Sequence, residues 1–98
     1  MRAYHRPVIH TALPGADLIA RGLDDLANGR ESPAALLVSI GAPRLASLGL
    51  SVPRPFETPE HRLYAVLVRE HHDDSAHGRY NSLLRRLVSY ERALACAR

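Results

Sequence analysis

Hydrophobic residues recur along this chain with the period of an α-helix. From Ala16 to Asn28, at about 100° per residue, Ile19, Ala20, Leu23, Leu26 and Ala27 share one arc, while Asp17, Arg21, Asp24, Asp25 and Asn28 fall opposite. Asn28-Gly29 is a stop signal, because glycine takes the left-handed turn at a helix end without steric cost. Ser32-Pro33 opens a second helix: the serine caps free amides and proline suits the first helical position. Ala34 to Ile40 is apolar on nearly every side, which predicts burial, and Gly41-Ala42-Pro43 predicts a kink or a restart running to Leu48.

Residues 51–59 hold three prolines and read as an irregular connector. Thr58-Pro59-Glu60 repeats the cap-plus-proline start. Leu63–Val68 also has strand propensity, but nothing else in the chain offers a strand to pair with it, so a third helix is expected. The last helix, His77 to Arg98, sets Tyr80, Leu83, Leu84, Leu87, Val88, Leu94 and Ala95 against Asn81, Ser82, Arg85, Arg86, Ser89 and Arg92. The expected fold is all-α: a small four-helix bundle with a kinked second helix. An extended arm or loop (1–15) precedes a single helical domain (16–98) whose C-terminal helices form an antiparallel hairpin.

Reflection about that turn predicts Leu67 near Leu84, Tyr64 near Val88, His71 near Tyr80 and His61 near Glu91. Glu91 lies on the apolar stripe of its helix, where a bare carboxylate is costly. The start of the third helix, with its free amides and its neighbours His61 and Arg62, would answer that charge, so the three residues read as a structural polar clamp. The third helix's apolar arc, roughly 200° wide, exceeds what one neighbour covers. A second chain filling it makes a homodimer the expected state.

Composition refines this picture more than it redirects it. At 98 residues, 46% apolar and 23% charged, the chain fits one globular domain. No stretch reaches the roughly 18 to 20 apolar residues of a membrane span. The N-terminus lacks the apolar run of a secretion signal, and a lone cysteine, Cys96, fits a reducing cytoplasm. All thirteen basic residues are arginine and the net charge is +3, too small to demand a nucleic-acid partner. Residues 60–74 set four acids against two arginines, a net of −2, whereas residues 77–98 set five arginines against one glutamate, a net of +4. Two adjacent helices of opposite sign predict mutual attraction inside the fold.

Candidate chemistry is sparse. His72, Asp74 and His77 converge on a metal only if residues 71–77 form a loop, and a solvated polar turn explains them better. No phosphate-cradling glycine loop, zinc-ligand spacing or nucleophile elbow occurs, so neither catalysis nor a cofactor is indicated. The arginine face of the last helix, Arg79, Arg85, Arg86 and Arg92, is the best binding candidate. It suits an acidic protein partner or nucleic-acid phosphates, the latter less favoured because Asn81 alone joins it as a base-reading side chain. The expectation is a cytoplasmic protein-interaction or regulatory module, without catalysis of its own.

Overall fold

A computed structural model describes residues 13–71 and 74–97. The fold is all-α: α1 (Ala16–Ala27), α2 (Pro33–Ile40), α3 (Ala42–Ser47), α4 (Pro59–Glu70) and α5 (Ala76–Ala97), with no strand among the described residues. The segment Leu63–Val68 is helical throughout. The reading of residues 1–15 as an arm falls almost wholly outside the described residues; Leu13, its described end, already packs against the core.

The start and stop signals act as the sequence implies at the α1–α2 corner. Gly29 closes α1 at φ 69°, with its amide on the Leu26 carbonyl and the Arg30 amide on that of Asp25. Ser32 Oγ then accepts the Ala35 amide at 3.0 Å to cap α2. Because α2 is apolar all round, it becomes the axis of the molecule: Leu36, Leu37 and Val38 are fully buried, and α1, α4 and α5 all pack on it.

Gly22 sets the spacing of α1 on α2. A β-carbon at Gly22 would lie 2.4 Å from the Ala34 carbonyl oxygen and 2.4 Å from a Val38 methyl, so the two backbones touch where only glycine fits. Between α2 and α3 the chain restarts instead of bending smoothly. Gly41 ends α2, Pro43 falls within the first two positions of α3, and Gly49 at φ 94° closes it.

Thr58 departs from its expected role. It precedes α4 at φ 46° and donates its hydroxyl to the Glu57 carbonyl, so its side chain does not cap this helix. The left-handed backbone at Thr58 turns the hydroxyl away from the free amides, leaving Pro59 as the effective start signal. Upstream, the connector is pinned from outside: the Phe56 amide donates to Ser39 Oγ and the Arg54 guanidinium to the Ala27 carbonyl.

The hairpin forms, in a different register from the reflected one. Tyr64 packs edge-on against Tyr80 (ring centroids 5.6 Å apart) and His77 (6.5 Å), about two turns or more from Val88. Helix α4 stops at Glu70 and α5 begins at Ala76, earlier than the mirror point assumed. Tyr90 is fully buried, and its hydroxyl has no hydrogen-bond partner among the described residues.

Candidate functional site

Among the described residues, two polar constellations and one surface gather the side chains suited to chemistry or binding. The first constellation lies at the α1–α2 corner. Asp25, expected on the outer face of α1, is buried. Its carboxylate accepts the Ser32 hydroxyl at 2.6 Å and the Arg30 guanidinium at 3.0 and 3.1 Å. The Ser32 hydroxyl bond and then the Arg30 guanidinium hold the Asp25 carboxyl below its ordinary range, against the opposing effect of burial. Every member is engaged by another, so the cluster locks a corner. The sequence signal for it was the serine seven residues after Asp25, already assigned as a cap.

The second constellation is the expected clamp, and the structure disperses it. Glu91 is half-buried against the α2–α3 break, where a β-carbon at Gly41 would meet its Oε2 at 2.9 Å and a Leu87 methyl at 2.9 Å. Burial pushes the Glu91 carboxyl up, and the Arg44 guanidinium partly offsets this. Arg62 instead pairs with Glu31 at 3.1 Å and lies over the Phe56 ring, while His61 is exposed. The corrected cause is the side of α5 that carries Glu91: it crosses α2 at Gly41, whose missing side chain makes room for Leu87 and Glu91.

For the metal candidates, His72 lies outside the described residues. Asp74 is exposed, and His77 Nε2 lies 3.1 Å from the Asn81 amide. Among the described residues no three His, Cys, Asp or Glu side chains come together.

The surface is the outer side of the α4–α5 hairpin. Tyr64, Val68 and Val88 are 39%, 48% and 40% exposed, the large hydrophobic side chains that the fold leaves to solvent among the described residues. Tyr80, Leu84 and Val88 follow at four-residue spacing along α5, and the Tyr64–Tyr80 contact joins the α4 side to that row. Leu84 and Val88 line a shallow groove of about 420 Å³ with Asn81, Arg85, Ser89 and Arg92.

The four arginines do not form one face. At about 100° per residue, Arg85 and Arg92 flank the apolar row, whereas Arg79 and Arg86 sit about a third of a turn away beyond Ser82 and Ser89. Arg86 reaches Asp17 of α1 at 3.6 Å and Arg79 donates to the Ser75 hydroxyl at 3.0 Å. Arg85 and Arg92 make no ion pair among the described residues. Nor does any ion pair there join α4 to α5, so the attraction expected between the acidic and basic segments is not spent within the hairpin.

No helix among the described residues is long and apolar enough to cross a membrane. Comparison with family models, with curated proteins and with solved structures finds no match for this chain.

Proposed function

We propose that this chain is a small non-catalytic protein-interaction or regulatory module of the cytoplasm that acts as a homodimer. The observation carrying this reading is the exposed row on the hairpin, Tyr64, Val68 and Val88, beside two arginines that make no ion pair among the described residues. Large apolar side chains gathered on one side of a small domain, rimmed by polar groups, mark association surfaces more often than solvent-facing ones. The mutual satisfaction of the Asp25 cluster, and the dispersal of the other titratable groups, leave no converging set for acid–base or nucleophilic work among the described residues. Cys96, exposed and unpaired, suits a reducing compartment. Light scattering across a concentration series tests the reading. A mass of twice the chain is expected at high micromolar concentration, and a strict monomer throughout removes it.

Contact with nucleic acid is the second reading, and Arg85 and Arg92 favour it because nothing described neutralises them. Its signature is duplex or structured-RNA binding that weakens steeply with salt. With Arg79 and Arg86 on another flank, the described part of α5 brings two guanidiniums, Arg85 and Arg92, to this groove, which favours protein association as the use of this surface.

A further inference from the structure

The outer face of the hairpin carries its own electrostatic complement. Glu57 and Glu60 are exposed on the α4 side without an ion pair among the described residues, and Arg85 and Arg92 are in the same state on α5. We propose that this face binds a second copy of the chain about a two-fold axis running along the hairpin, so that α4 of each copy lies across α5 of the other. The inference rests on the homodimer reading above and adds the face, the symmetry operator and the ion pair that fixes it.

The contact between Tyr64 and Tyr80 gives the relative height of the two helices. Because α5 runs back along α4, one turn before Tyr64 brings Glu60 level with Leu84 and Arg85, one turn beyond Tyr80. A two-fold axis parallel to the helices preserves height. It therefore sets the second copy's Glu60 beside Arg85, its Tyr64 over Asn81 and Leu84, and its Val68 towards His77. Each such contact occurs twice, as a closed two-fold interface requires.

The competing operator, an in-plane axis perpendicular to the helices, lays α5 on α5 and α4 on α4. It turns Arg85 and Arg92 towards their own copies and leaves each Glu60 on the α4 side, away from the other copy's arginines. Like charges facing each other disfavour that pairing, so charge selects the crossed arrangement. A different acidic protein would satisfy Arg85 but would leave Glu60 unanswered, whereas a second copy pairs the two.

Sedimentation velocity on the full chain, from roughly 1 to 300 µM, reads the dimer dissociation constant. Val68→Asp and Val88→Asp, at exposed positions, are expected to weaken association about tenfold or more, with helical content by circular dichroism unchanged. Glu60→Arg and Arg85→Glu each weaken it about three- to fivefold, and the two together restore the parent value. A dimer indifferent to both aspartates overturns the assigned face. A dimer that Arg85→Glu tightens, or that the double reversal fails to rescue, overturns the crossed arrangement; in both cases homodimerisation itself survives. A parent chain that stays monomeric over the whole range overturns the inference and the homodimer reading together.

Discussion

The α1–α2 corner and the α4–α5 hairpin are built from similar amphipathic helices and end in opposite states. At the corner, Asp25, Arg30 and Ser32 bond to one another, Gly22 lets two backbones touch, and Gly29 and Ser32 close both helix ends. At the hairpin, α4 starts without a side-chain cap from Thr58, Arg85 and Arg92 have no ion pair among the described residues, and Tyr64, Val68 and Val88 face solvent. Within one small domain, polar satisfaction and tight packing concentrate where the fold is fixed. The groups left unanswered collect where another molecule can reach them. If that division is real, substitutions at the corner cost folding stability, while those on the hairpin change association and leave folding nearly untouched.

Gly22→Ala is the strongest way to break the comparison. The new methyl meets the Ala34 carbonyl, a backbone atom that no rotamer change can withdraw, so α1 and α2 must separate. A loss of about 3 kcal/mol is expected, or roughly 10 °C or more in Tm for a domain of this size. Thermal and urea unfolding followed by circular dichroism measure it. Gly78→Ala on α5, where nothing lies within 4 Å, is the control and stays at or above parental stability. Equal behaviour of the two variants would dissolve the distinction between the regions.

Asp25→Asn tests the polar half of the corner and is expected to cost about 2 kcal/mol, since the charge-assisted bonds from Arg30 and Ser32 are weakened together. The pH dependence carries a definite sign. The Asp25 carboxyl titrates below its ordinary 3.8, so its stabilisation is complete above that value and disappears as pH falls through the lower folded-state value. Acid unfolding curves of the parent should show this loss below about pH 4, and the Asn variant should lack that component. Superimposable acid limbs would mean that the carboxylate contributes nothing through its charge.

The elements of both regions were legible in the sequence to within a residue or two; their mutual placement was not. Periodicity reports which side of a helix is apolar and says nothing about its axial position against a neighbour. A turn centre misplaced by a few residues displaces every reflected partner by twice as many, which is why Tyr64 meets Tyr80 and not Val88. Glu91 shows a second limit: the sequence reveals a carboxylate on an apolar stripe, but only the crossing of α5 over Gly41 decides what surrounds it. Asp25 looked like one of two adjacent surface aspartates, and its burial follows from the tight corner that brings Ser32 and Arg30 back over it. Gly22 did carry a signal, because a glycine inside a helix is a cost that needs a cause, though the partner backbone was invisible. The exposed row on the hairpin was the hardest to read, since Val88 shares the stripe that predicts burial and escapes it because the stripe is wider than the core it meets.

The smallest effect expected is also the one that compares the two regions most directly, because it sets one carboxylate against the other. Glu91 lies at the edge of the core, and burial raises its carboxyl above the ordinary 4.5 with Arg44 as a partial counterweight. An acid that binds its proton more tightly in the folded state than in the unfolded one gives a stability that declines as pH rises through the interval between the two values. That slope is opposite to the one from Asp25. Glu91→Gln removes the ionisation while keeping the shape beside Gly41 and Leu87, so it should leave stability at neutral pH equal or higher by up to about 0.5 kcal/mol. It should also flatten the parent's decline as pH rises above 4.5. Urea midpoints of parent and variant at several pH values decide the point. A glutamine variant less stable than the parent at neutral pH would show that the charge of Glu91, through Arg44, holds α5 to the α2–α3 break, and the hairpin would then share the corner's dependence on polar bonding.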